Sequence, residues 1–181
     1  MKNKSKLIAI AVAAVAIFFT TNVKAQTSDP NKWRFGIGIE GGVPTGNASN
    51  ISNFELGGTA RLQYGFSNNF ALTLTSGYYN MFGKNITETI GGTTITGKAS
   101  DLGIVPVKVG IKAFFTPSIY FGAEAGAGFE TINEGNTKLI LSPALGWANK
   151  SWDVGVRYEN FSGQSNNYGL VALRLAYGFS L

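Results

Sequence analysis

The chain has no cysteine and no histidine in 181 residues. Without histidine the usual general base of hydrolytic triads is missing, and metal sites built from His and Cys are excluded. Without cysteine there are no disulfides and no thiol for a lipoprotein anchor, which is compatible with an exported protein that needs neither. Long apolar runs are missing too. Beyond residue 25 no stretch reaches the ~18 residues that a membrane helix requires, so any membrane insertion must use a closed barrel of strands. An excess of one charge is absent once the N-terminus is set aside. Lys2, Lys4, Lys6 and Lys24 are four of the 15 basic residues, and no acid accompanies them. The remaining 11 basic residues face 10 acidic ones, so no nucleic-acid or polybasic lipid-surface reading is warranted.

What is present at the N-terminus reads as an address. A basic start is followed by an apolar run over 7–19, then Val23-Lys24-Ala25 before Gln26. This is the pattern of a cleaved secretory signal peptide over 1–25. A short polar leader over 26–32 and a single domain over 33–181 are expected to follow.

That domain alternates apolar and polar residues with a period of two, the mark of β-strands. The last stretch, 168–181, places Val171, Leu173, Leu175, Tyr177, Phe179 and Leu181 on one face. Ala172, Arg174, Ala176, Gly178 and Ser180 fall on the other. The same reading predicts strands over 33–43, 54–66, 70–81, 102–115, 119–130, 137–148 and 152–161. Pro106 cannot donate a ladder hydrogen bond, which predicts a bulge there. Short turns at Ser67-Asn68-Asn69, Thr116-Pro117-Ser118 and Asn149-Lys150 alternate with long polar connections. Asn is expected to supply a left-handed backbone in the first of these. The longest connection, 84–100, has an Ile-Thr-rich middle suited to extending its hairpin.

An eight-stranded antiparallel up-and-down transmembrane β-barrel follows, with long extracellular loops and tight periplasmic turns. Trp33, Phe66, Phe70, Phe115, Trp147, Trp152 and Phe179 fall at the short-turn end, where they would form a periplasmic aromatic girdle. Tyr78, Phe129 and Tyr158 fall near the other rim. The charges sort by face. Arg34, Glu40, Glu55, Arg61, Lys108, Lys112, Glu124, Asp153, Arg157, Glu159 and Arg174, with Glu130 and Lys138, all lie opposite the apolar residues. Interleaved with Gly and Ala, they are expected to fill a narrow lumen. A soluble lipocalin-like barrel would place the apolar face inside; bulky aromatics at the ends and Leu and Val mid-face favour lipid outside.

The whole of 33–181 resembles the small eight-stranded outer-membrane barrels of Gram-negative bacteria, of the kind seen in OmpX and the transmembrane domain of OmpA. The closing strand looks like the terminal signal that the barrel-assembly machinery reads. Ile104-Val105-Pro106-Val107-Lys108-Val109-Gly110-Ile111-Lys112, followed by a short turn and a Gly-rich strand, is similar to the outer-membrane β-barrel domain family common in Bacteroidetes. The resemblance implies the bacterial outer membrane as location, its lipid and the assembly machinery as partners, and little chemistry. The palmitoyl-transferring and lipid-A-deacylating enzymes built on such barrels need a histidine base that this chain lacks; an Asp or Glu base stays open in principle, but no Ser is positioned beside one, so no enzymatic activity is expected.

Gly36-Ile37-Gly38-Ile39-Glu40-Gly41 spells GxGxxG, but a loop follows it where the dinucleotide motif requires a helix. No cofactor, metal or nucleic acid is expected. The function expected is a non-enzymatic structural or surface-binding scaffold with a charged, side-chain-plugged lumen. The alternatives are a narrow small-solute channel and an accessory subunit of a secretion complex. The turn at 116–118 places Gly110 opposite Glu124, which puts Glu124 diagonal to both Lys108 and Lys112. Trp147 is expected to face Trp152.

Overall fold

The computed structural model describes residues 32–90, 93–132, 135–163 and 166–181. The expected signal peptide and the leader up to residue 31 lie outside the described residues. The elements are β1 (Lys32–Gly46), a 3-10 turn (Asn47–Asn50), β2 (Ser52–Gly65), β3 (Phe70–Gly83), β4 (Asn85–Ile90) and β5 (Thr93–Lys98). They continue as β6 (Leu102–Phe114), β7 (Ile119–Glu130), β8 (Thr137–Ala148), β9 (Trp152–Ser162) and β10 (Tyr168–Ser180). Eight of the strands close into one barrel in the order β1-β10-β9-β8-β7-β6-β3-β2, each antiparallel to its neighbours. β4 and β5 pair only with each other, so the long connection does extend its hairpin beyond the barrel.

Closure is made by the first and last strands. Arg34 to Gly46 pair with Ser180 to Tyr168, and the Leu181 N–H donates to the Trp33 carbonyl at 3.0 Å. No strand edge of the barrel is left unpaired, which is the condition for standing in lipid. Alternation then decides the faces. Ile37, Ile39, Leu72, Leu74, Val109, Leu139, Leu141 and Val156 are exposed on the outside, while Glu40, Arg61, Lys108, Glu124, Arg157 and Arg174 are buried inside.

The tight turns use side-chain capping. In the two three-residue turns, Ser67 Oγ accepts from the N–H groups of Asn69 and Phe70 at 3.3 and 3.1 Å. Thr116 Oγ1 does the same for Ser118 and Ile119 at 3.3 and 2.9 Å. Neither Asn68 nor Asn69 has a positive φ, contrary to the expectation above, because the Ser67 hydroxyl holds the turn without a left-handed residue. In the third turn Asn149 Oδ1 accepts from Ser151 and Trp152 at 2.8 and 2.7 Å, which makes Lys150-Ser151 the turn tip. Trp147 therefore faces Val154 instead of Trp152, and Trp152 faces Tyr177 on β10.

Pro106 makes no bulge. The register of β6 with β3 is the same on either side of it, Ser76 with Val107 and Tyr79 with Ile104, and pairing lapses between. The lost ladder bond is offset by the Ser76 hydroxyl, which donates to the Pro106 carbonyl at 2.9 Å. The irregularity that does shift register lies in β2 and β3, between Ser52 and Phe54.

Candidate functional site

Inside the barrel nine of the charged residues form one connected network. Arg61 reaches Glu124 at 3.0 Å and Asp153 at 3.4 Å, and its Nε donates to Thr75 Oγ1 at 2.9 Å. Glu124 also accepts from Thr73 and Thr75 at 3.1 and 2.8 Å and lies 3.6 Å from Lys108 and 3.7 Å from Arg157. Lys108, fully buried, pairs with Glu159 and donates to the Tyr79 hydroxyl at 3.0 Å. Arg157 donates through Nε to Glu40 at 2.6 Å and through Nη2 to Tyr79 at 3.2 Å, and stands 3.3 Å from Glu159. Asp153 receives Lys112, the Tyr120 hydroxyl at 2.7 Å and, at 3.8 Å, Arg174.

The register holds Gly110 opposite Glu124, with Lys108 within ion-pair distance. A Cβ at Gly110 would stand 2.4 Å from the Ala123 carbonyl and 2.6 Å from Glu124 Cγ, so glycine there leaves room for the acid. Lys112, however, is paired with Asp153 on β9 and packs over the Tyr120 ring at 4.1 Å. The barrel is narrow enough that a lysine reaches a strand three places away, and the local diagonal does not decide its partner.

The remaining expected lumen residues lie nearer the ends. Arg34 donates through Nη2 to the Lys150 carbonyl. At the loop end, Glu130 accepts from Asn136 N–H at 3.0 Å and from the Tyr168 hydroxyl at 2.9 Å. Lys138 donates to the carbonyls of Gly163 and Asn166 at 2.8 and 3.0 Å, so these two tie down loops. Glu55 is fully buried, and neither of its oxygens has a hydrogen-bond partner among the described residues.

Two apolar plugs bound the network, and reading the inner face by its charges alone misses them. At the loop end Tyr79, Met81, Ile104, Ile140, Phe161, Tyr168, Leu170 and Ala172 pack together inside the barrel. At the turn end Phe114, Tyr120 and Ala148 do so, with the two rings 5.5 Å apart. The signal was parity. Phe114 lies two residues beyond Lys112, Phe161 two beyond Glu159, and Ile140 midway between Lys138 and Ser142, all in the inward phase.

Outside, Trp33, Phe66, Phe70, Phe115, Trp152 and Phe179 are exposed at the turn end and Trp147 is half-buried there. Tyr64 joins them by packing 4.8 Å from Trp33, and Tyr177 by meeting Trp152 edge-on at 5.2 Å. At the other rim Phe54 and Phe82 stack at 6.3 Å, and Tyr78, Phe129 and Tyr158 are exposed at the same end of the barrel.

The loop-end hairpin is anchored at its base. Asp101 accepts from the Gly83 N–H at 2.9 Å and pairs with Lys98 at 3.6 Å. The Gly83 N–H, first among several partners, holds the Asp101 carboxyl below its ordinary range against an opposing desolvation. Lys84 Nζ donates to the Ser49 carbonyl at 2.8 Å, which ties the hairpin to the 3-10 turn.

No protein-family model matches the chain, and no curated protein does. Solved structures do. Ail, the attachment invasion locus protein of Yersinia pestis, in complex with the heparin analogue sucrose octasulfate, is similar at 15% identity and a TM-score of 0.55, over 83% of this chain and 100% of that one. The N-terminal β-barrel domain of Pseudomonas aeruginosa OprF is similar at 12% identity and a TM-score of 0.56, over 86% of this chain and 100% of that one. The outer membrane protein OprG of Pseudomonas aeruginosa is similar at 10% identity and a TM-score of 0.50, over 86% of this chain and 99% of that one. A closed eight-stranded barrel, apolar outside and charged within, thus has the fold of the small outer-membrane β-barrel proteins.

Proposed function

We propose that this chain is a non-enzymatic barrel of the bacterial outer membrane, exported by a cleaved signal peptide, with a plugged interior and loops that serve as a surface-binding scaffold. The observation that carries this reading is the lumen. Its ion network runs from Arg61 and Asp153 to Glu40 and Glu159, and apolar side chains pack inside the barrel toward both ends. Such an interior offers no continuous water path, because side chains fill the cross-section. With the lumen closed, the contact surface is at the loop end, where the β4–β5 hairpin stands on its Asp101 and Lys84 anchors. Outer-membrane lipid and the assembly machinery are the partners this reading requires. Ail's complex with a heparin analogue is a property of that protein; here it supports only that this fold can serve as a binding scaffold.

The test is electrical. Purified barrels reconstituted in planar bilayers should show no steady conductance. Glu124→Ala, which removes the acid shared by Arg61, Lys108 and Arg157, should open small anion-favouring currents. Stable, reproducible conductance from the unmodified protein would replace the scaffold with a narrow channel.

A further inference from the structure

The turn-side half of the lumen has more cations than acids to meet them. Asp153 is the acid that Lys112, Arg61 and Arg174 share, and all three approach the same oxygen, Oδ2, while Tyr120 occupies Oδ1. Arg61 has a second acid in Glu124. Arg174 does not. Its Nε donates to Thr59 Oγ1 at 2.9 Å, but among the described residues its buried Nη1 and Nη2 have no hydrogen-bond partner, and the nearest carboxylate oxygen is 3.8 Å from Nη1. Arg174 is 97% buried, since only 3% of its surface is exposed. A guanidinium withdrawn from water to that extent with terminal N–H groups unmet is costly, and an anion offsets both the charge and the missing acceptor.

A cavity of about 30 Å³ lies beside it, lined by Arg34, Arg61, Gln63, Asp153 and Arg174. Gly36 and Gly178 form part of its wall, and a Cβ at Gly178 would stand 3.0 Å from Arg34 Nη2. Three cationic side chains and one carboxylate leave the lining net positive. Arginine offers several donors in a rigid fork and glutamine two more, whereas a neutral water leaves the charge uncompensated. The space suits one small ion.

We propose that this cavity binds a small inorganic anion of halide size, chloride in practice. Arg174 and Arg61 supply the inner donors, and Arg34 and Gln63 stand toward the turn-end mouth. The anion completes the charge balance of the turn-side half and locks Arg174 in place. This site is independent of any ligand at the loops.

Two measurements test it on the full-length barrel folded in lipid vesicles or crystallised from detergent. Crystals soaked in bromide should show an anomalous peak within hydrogen-bond distance of Arg174. At constant ionic strength, replacing gluconate by chloride should lower the unfolding constant in proportion to one plus the chloride concentration over Kd. Arg174→Gln should abolish that dependence. Should Arg174→Gln fail to fold, Arg34→Gln, at the half-exposed mouth, should raise the chloride needed by about tenfold, or about 1.4 kcal/mol of affinity. Absence of a bromide peak together with equal stability in chloride and gluconate would overturn the site. So would sulfate stabilising as well as chloride, because that would mark a general salt effect instead of a cavity of this size.

Discussion

Leu141 and Ser142 are neighbours on β8, yet one is 48% exposed on the outside of the barrel and the other 2% exposed within it. Leu173 and Arg174 repeat the contrast on β10, half-buried outside against buried inside. The outer face is held by nothing specific. Its leucines and valines meet a solvent as apolar as themselves, so what matters is that they are apolar. The inner face is held by particular partners, since an acid or base enclosed there without its counterion is expensive. One sheet is therefore tolerant on one side and exacting on the other.

The largest effect should come from the exacting side. Asp153→Ala leaves Lys112, Arg61 and Arg174 without the acid they share and should lower stability by about 3–5 kcal/mol in urea unfolding from lipid vesicles. A loss below ~1 kcal/mol would mean that water replaces the carboxylate and that the interior is wet. Next comes the tolerant face forced to take a charge. Leu141→Arg should cost about 2–4 kcal/mol by the same assay if this residue lies at the bilayer midplane. The comparison itself would break if fluorophores at 141 and 173 reported water while those at 140 and 174 reported lipid.

A smaller effect should follow Tyr120→Phe. It removes one hydrogen bond to Asp153 and leaves the ring packed on Phe114, for a loss of about 1.5 kcal/mol. The smallest should appear outside the barrel. Asp101→Asn should speed amide exchange over β4 and β5 while the barrel strands keep their protection, and unchanged exchange would show that the anchor is dispensable. Because the Asp101 carboxyl is held below its ordinary value of 3.8, its contribution is complete above that pH and is lost as pH falls through the lowered pKa. The hairpin of the unmodified protein should loosen over that range and the barrel should not.

Parity along the chain carried most of this architecture. The limits of β7 and β8 coincide with the stretches read from alternation, and the Thr116 turn was enough to place Gly110 opposite Glu124. Both follow from local rules, the two-residue period of a strand and the residue count of a turn. The errors arose where a local rule met a second constraint. Asn149 capped its turn and moved the tip by one residue, so Trp147 met Val154. Pro106 lost a ladder bond, but Ser76 was in place to donate to its carbonyl and register was kept.

What the order of residues determined by itself was which side chains face lipid and which face inward, because alternation along a paired strand leaves no choice once one residue is placed. It also determined the number of barrel strands and the alternation of short turns with long connections. Only the tertiary structure decided which acid each inward base meets. Lys112 passes over its diagonal neighbour Glu124 to reach Asp153, Arg157 finds Glu40, and Arg174 is left with its terminal nitrogens beside a small cavity. The reason is geometric. A closed barrel brings strands far apart in sequence to within one side-chain length across the lumen, so the partner is chosen by curvature and stagger, which no stretch of sequence contains.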